Sequence, residues 1–160
     1  DGGQSYLFVN DGKGGFDEQH SVGPSRMATR AVALGDLDSD GLLDIIVGDG
    51  VEGGVRLYIN RGDASFEESR MIGARGDRVF ALAVADVDGD GDEDVVVGNS
   101  RSPSAILSND GSGDGFTLTR FGDAEGAVYG LAIGDVDGDG VADIVAGRSD
   151  APNTLYLGCC

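Results

Sequence analysis

The sequence is poor in the residue types that most often carry catalysis, thiolate chemistry or aromatic binding platforms. Its 160 residues include no tryptophan, one histidine and two cysteines. No nucleophile–base pattern surrounds the histidine, His20, and we interpret it as a surface residue. The cysteines, Cys159 and Cys160, are adjacent, where a mutual disulfide would be strained, so we expect them to be free or paired beyond this sequence. We therefore predict that the protein is not an enzyme.

Positive charge and long apolar runs are also scarce. Eleven basic residues face 29 acidic ones, for a net charge of −18. This imbalance excludes the positive field that nucleic acids and anionic membrane surfaces require. No apolar run reaches the roughly 20 residues of a spanning helix, and the N-terminus has no basic-then-apolar signal pattern. The excess carboxylates need solvent or multivalent cations, and the apolar strand-like segments argue against disorder.

The acidic residues are concentrated in three similar stretches. These stretches read GDLDSDGLLDIIVG, ADVDGDGDEDVVVG and GDVDGDGVADIVAG, and their first aspartates are Asp36, Asp86 and Asp135, spaced 50 and 49 residues apart. A second motif, an asparagine that follows an apolar segment, recurs at the same spacing in Asn10, Asn60 and Asn109. The sequence is therefore one unit of about 50 residues that is present roughly three times.

Each unit contains four segments with strand character and no helical periodicity. The first, such as Ala81–Val84, alternates small and large side chains, and the second (DIIV, DVVV or DIVA) is apolar throughout, as in strands buried on both faces. The third, around Leu57–Ile59, carries aromatic residues. The fourth is mostly polar, as expected of an outer edge strand, and follows an Asn/Asp-Gly hairpin signal. The predicted fourth strands begin at Phe16, Phe66 and Phe116.

Four strands ordered from buried to polar describe a propeller blade. We predict an all-β fold of β-propeller-type blades, each with four antiparallel strands, in a single array that is open at both ends. The array divides into a half blade (1–22), two blades (23–72 and 73–122) and an incomplete blade (123–160). Closed propellers typically have about four to eight blades, so this segment has too few to close on itself.

The acidic stretches have the spacing of a cation-binding loop. In D-x-D-x-D-G-x-x-D, carboxylates occupy positions 1, 3, 5 and 9, and the glycine at position 6 allows a sharp turn. Calcium takes six to eight oxygen ligands, so we expect three Ca²⁺ sites rather than solvated acidic turns. An EF-hand is excluded because position 12 lies in an apolar β-branched segment instead of a helix. The predicted ligands are Asp36, Asp38, Asp40, Asp44 and the Leu42 carbonyl; Asp86, Asp88, Asp90, Asp94 and the Asp92 carbonyl; and Asp135, Asp137, Asp139, Asp143 and the Val141 carbonyl.

These loops, with the LYIN…F segments that follow them, resemble the FG-GAP/VCBS repeats of integrin α-subunit-type β-propellers. The resemblance covers nearly the whole sequence. It implies a structural calcium ion in the hairpin between the first two strands of each blade. It also implies an extracellular or cell-surface location, with roles in adhesion, carbohydrate contact or scaffolding.

Three functional hypotheses follow. The first is a calcium-stabilised, extracellular structural or adhesive module, whose partners are other blades of the same chain or further copies of it. The second is a self-assembling subunit of a ring or filament that pairs through open blade edges. The third is a lectin-like or polysaccharide-lyase segment, with a glycan or cell-surface protein as partner. Two Arg-Gly-Asp triplets, at Arg61 and Arg75, are better explained by turn chemistry than by adhesion.

Overall fold

The computed structural model describes residues 3–50, 52–67 and 70–158, without the side chains of residues 25–27. Thirteen β-strands and no helix are found in these residues, which confirms the predicted all-β fold. No helix in this part of the chain is long and apolar enough to cross a membrane. Cys159 and Cys160 lie outside the described residues, so their expected state stays a prediction.

The strands form four antiparallel sheets of two, four, four and three strands. Within each sheet the strands are neighbours in chain order, which gives an open, propeller-like array and confirms the predicted fold class. The first sheet contains β1 (Gly3–Val9) and β2 (Glu18–Met27). The second contains β3 (Thr29–Gly35), β4 (Asp44–Asp49), β5 (Val55–Tyr58) and β6 (Arg70–Met71); the third contains β7 (Val79–Ala85), β8 (Asp94–Asn99), β9 (Ser104–Asn109) and β10 (Phe116–Phe121); the fourth contains β11 (Ala127–Gly134), β12 (Asp143–Ser149) and β13 (Thr154–Tyr156).

The same register recurs where the first two strands of the second, third and fourth sheets pair. Gly35 lies opposite Asp44, and Ala85 lies opposite Asp94. Gly134 lies opposite Asp143 in the same way. The eight residues between each such pair form the acidic hairpin loop, so all three loops emerge from the same end of their sheets.

The largest cluster of buried hydrophobic residues lies between the second and third sheets, and smaller clusters lie at the other two junctions. All six residues of β4 and of β8 are buried, which confirms for these two strands the prediction that the second strands are covered on both faces. The prediction is wrong for β12, where Val145 is 38% exposed because no described sheet covers that face. Glycine is required where the sheets approach each other. A Cβ atom at Gly98 would lie 2.7 Å from Cγ1 of Val128 in the next sheet, and one at Gly48 would lie 2.4 Å from Cγ1 of Val79.

The predicted fourth strands are only partly confirmed. The strand beginning at Phe116 is present, but the other two start later, at Glu18 and Arg70. In the second sheet, Phe66 instead closes the preceding hairpin through an isolated bridge to Asn60, and residues 68 and 69 of the predicted strand are not described. Outer strands carry few apolar residues, so their starts are poorly marked in the sequence.

Candidate metal centres

Each acidic hairpin loop brings three carboxylates together. In each group, one oxygen atom from every side chain lies within 4.8 Å of the other two. The groups are Asp36, Asp38 and Asp40; Asp86, Asp88 and Asp90; and Asp135, Asp137 and Asp143. The first two loops thus use positions 1, 3 and 5, whereas the third uses positions 1, 3 and 9. Of the predicted ligands, Asp44, Asp94 and Asp139 are outside these groups, and no contact tests the three backbone carbonyls.

Hydrogen bonds within the loop hold these carboxylates in place. In the first loop, Asp36 accepts from the backbone amides of Asp40 (3.0 Å) and Gly41 (2.9 Å), and Asp40 accepts from that of Leu42 (2.9 Å). The glycine at position 6 has a positive φ in every loop, for example 88° at Gly41, a conformation that side chains with a Cβ atom disfavour. The loop is therefore folded around its carboxylates by local chemistry, as the spacing predicted.

The aspartate at position 9 has a further role that the sequence analysis missed. This residue is fully buried in all three loops. Its two oxygens accept hydrogen bonds from two backbone amides, one in the loop and one at the end of the third strand. The donors are Leu37 (2.9 Å) and Asn60 (2.8 Å) to Asp44; Val87 and Asn109 (both 2.9 Å) to Asp94; and Val136 (2.7 Å) and Gly158 (2.8 Å) to Asp143. Each carboxylate thus ties the loop to the end of the third strand, the neighbour of the strand that carries the aspartate.

We call this link between loop and third strand the clamp. The protein environment of the three clamp aspartates differs, and their pKa values shift in different directions. Burial raises the pKa of Asp44 and of Asp94, and the nearby negative charges of positions 3 and 5 raise it further. The pKa of Asp143 is lowered instead, because the amides of Val136 and Gly158 stabilise its charged form. The last described sheet has no described neighbour on its far side, which leaves less protein around Asp143 to disfavour the charge.

The donor set fits a hard divalent cation. Every side chain in the three groups offers carboxylate oxygens, the ligands that calcium and magnesium prefer. In the first group, the side chain of Asp38 is 12% exposed and its Oδ1 is buried with no hydrogen-bond partner among the described residues. A buried charged oxygen without a partner costs free energy. A cation bound among the three carboxylates would give this oxygen a ligand contact.

The first loop is also contacted by the neighbouring sheet. Glu93, in the second loop, accepts a hydrogen bond from the backbone amide of Asp36 (2.7 Å). The side-chain amide of Asn109 donates to the carbonyl of Leu37 (2.8 Å). The equivalent positions in the last unit are Ala142 and Gly158, which cannot make these contacts. A groove of about 300 Å³ lies between the second and third loops instead.

The other singled-out residues are engaged in surface interactions. His20 lies 2.9 Å from Glu18 on the outer strand β2. One charged side chain in each Arg-Gly-Asp triplet forms an ion pair within the chain. Arg61 binds Asp38 at 2.9 Å, and Asp77 binds Arg120 at 2.7 Å.

A comparison with protein-family models agrees with the repeat found in the sequence. The model of the FG-GAP-like repeat matches residues 1–47, 36–97 and 86–146. The second and third matches each extend from one acidic loop through the next. A search of curated proteins finds no match. The matches together span most of the sequence and confirm the resemblance noted above, so the chain belongs to the FG-GAP-like repeat family.

Proposed function

We propose that the chain is a calcium-stabilised, extracellular, non-enzymatic repeat module with a structural or adhesive role. The observation that carries the proposal is the recurrence of one oxygen-only carboxylate group in the same hairpin of three successive sheets. A bound calcium ion would supply the positive charge that these groups lack. The carboxylate ligands and the hydrogen bonds that hold them in place come from the chain itself.

Bound ions would stabilise the fold because they relieve the electrostatic repulsion between the carboxylates of each loop. Two carboxylates about 4 Å apart repel by roughly 4 kcal/mol at an effective dielectric constant near 20. Each loop holds three such groups within 4.8 Å, next to the strands that form the blade core. Because the position-9 aspartate joins loop and third strand, relief of the repulsion in the loop also stabilises the sheet.

Calcium is favoured over other cations by the chemistry of the loops. Transition metals prefer histidine or cysteine, and none of the three loops contains either residue. Magnesium requires a nearly ideal octahedron, whereas an irregular loop with side-chain and backbone oxygens suits the larger, more variable shell of calcium. Membership of the FG-GAP-like family supports an extracellular location, where calcium is abundant enough to fill weak sites.

Thermal unfolding in calcium and in a chelator tests the proposal. Each site filled at 100 times its Kd would add about 2.7 kcal/mol of stability. For a chain of this size, about 1 kcal/mol raises Tm by roughly 2–4 °C. We expect calcium to raise Tm by several degrees for each site that fills at this level, and equimolar magnesium to raise it by less. Superimposable melting curves in calcium and chelator would contradict the proposal.

A second candidate function is assembly through the end sheets. Tyr6 and Phe8 of β1 are each 51% exposed, and Val145 of β12 is 38% exposed. In β13, Leu155 is 46% exposed. Such apolar faces fit further blades, either from the same chain or from a second copy. Light scattering at rising protein concentration tests the second alternative, since a constant monomer mass would exclude it.

A further inference from the structure

Arg61 places a positive charge on the first carboxylate group. Its Nη1 atom lies 2.9 Å from Oδ2 of Asp38 and 3.7 Å from Oδ2 of Asp40. Its Nε atom is held by Oε1 of Glu67 at 2.9 Å. The guanidinium is therefore fixed from both sides against two of the three carboxylates, and it is charged at every accessible pH.

The other two groups have no such partner among the described residues. Arg61 follows the recurring asparagine Asn60, and the residue after Asn109 is the acidic Asp110, whose carboxylate accepts from Ser112 in its own hairpin. Within the described part of the chain, no lysine or arginine pairs with a carboxylate of the second or third group. The second loop also carries Asp92 as a fifth aspartate, whereas the carboxylate of its Glu93 lies at the backbone amide of Asp36 in the first loop.

Arg61 lowers the affinity of the first loop for a cation, but it does not occupy the position that the cation would take. It binds Oδ2 of Asp38, while Oδ1 of the same carboxylate is buried and has no hydrogen-bond partner in the described part of the chain. The affinity of a calcium loop depends on the net charge of its ligands. A fixed positive charge beside two ligands lowers that net charge and repels a divalent ion.

We propose that Arg61 is a built-in counter-cation that makes the first loop the weakest of the three calcium sites. The inference rests on the calcium binding proposed above. The second and third loops fill at lower calcium concentrations, and the first loop fills last. Because Glu93 and Asn109 of the next sheet contact the first loop, the filling of this loop also reaches the junction between the second and third sheets.

Calorimetric titration of the calcium-free protein with CaCl₂ tests the inference. We expect two tighter sites and one weaker site in the wild-type protein. Arg61→Gln should strengthen the weakest site about tenfold, the size expected when a unit charge near a divalent ion is removed in a water-like dielectric. Arg61→Lys keeps the charge and should keep the weak site. Arg120→Gln, which breaks the ion pair with Asp77 outside the loops, is the matched control and should change no constant.

Nuclear magnetic resonance assigns the sites independently. The backbone amides of Gly91 and Gly140 should reach their calcium-bound chemical shifts at lower calcium concentrations than that of Gly41. In Arg61→Gln, the Gly41 amide should reach its bound shift at a lower calcium concentration than in the wild type. An Arg61→Gln protein with the same three constants and the same order of shifts as wild type would overturn the inference while leaving calcium binding in place. A wild-type protein that takes up no calcium would overturn both.

Discussion

Replacement of Asp94 by asparagine separates the two roles assigned to the position-9 carboxylate. Asp94 is fully buried, and its oxygens accept from the amides of Val87 and Asn109, both at 2.9 Å. Asparagine has the same shape but only one acceptor oxygen, so its NH₂ group would face one of these amides. This change removes one hydrogen bond to a charged acceptor and leaves a buried donor unsatisfied.

The cost follows from these contacts. A hydrogen bond to a charged group contributes about 1.5–3 kcal/mol, and a buried unsatisfied donor costs about 1–3 kcal/mol. The substitution also removes the repulsion that Asp88 and Asp90 exert on Asp94, which offsets part of the loss. We expect Asp94→Asn to lower the free energy of unfolding by about 2–3 kcal/mol, a large share of the roughly 5–15 kcal/mol of a typical domain.

Urea unfolding in a chelator, followed by circular dichroism, measures this loss without any contribution from metal. Asp88→Asn is the matched control. Asp88 belongs to the same loop and carboxylate group, but it is exposed and accepts one hydrogen bond, a 3.3 Å contact from Asp90. In chelator the control should unfold at or above the wild-type urea concentration, because one charge of the repelling group is removed, and it should lose stability only in calcium. If Asp94→Asn behaves like this control, the carboxylate is a ligand alone and the clamp is refuted.

Two further predictions concern packing between and beyond the sheets. Gly98→Ala should lower the free energy of unfolding in urea by about 1–3 kcal/mol, because the new Cβ atom would lie 2.7 Å from Val128. Gly130→Ala is the control, since a Cβ atom there meets open space and should be nearly neutral. Equal losses in the two variants would contradict the close approach of the sheets. If the end faces mediate assembly, the paired change Tyr6→Ser and Phe8→Ser should reduce the mass measured by light scattering at high concentration, and an unchanged oligomer would point to another surface.

Features encoded within one unit were predicted from the sequence. The acidic hairpin follows from the aspartate spacing and the glycine at position 6, since the hydrogen bonds between the aspartates and the amides of their own loop are local. The buried second strands follow from runs such as DVVV, because residues covered on both faces leave no polar alternation. The starts of the fourth strands at Glu18 and Arg70 were not predicted, since a polar edge strand resembles the loop before it.

Contacts between units could not be predicted from the sequence pattern. Glu93 and Asp36 are 57 residues apart, and only the packing of the two sheets brings the carboxylate to the loop amide. The ion pair between Arg61 and Asp38 joins a hairpin to a loop 23 residues away, and the triplet around Arg61 suggested a turn instead. The clamp at Asp94 was missed for a related reason: the pattern shows a carboxylate at the strand start but not the two amides that converge on it.

The central claim is that the three carboxylate groups bind calcium and thereby stabilise the blades. The most direct measurement compares the Tm of the wild-type chain in calcium and in chelator with that of the triple variant D38N/D88N/D137N, which removes one member of each group. We predict a rise of several degrees for the wild type and almost none for the variant. An equal calcium-dependent rise in both proteins would show that the stabilising ions bind elsewhere.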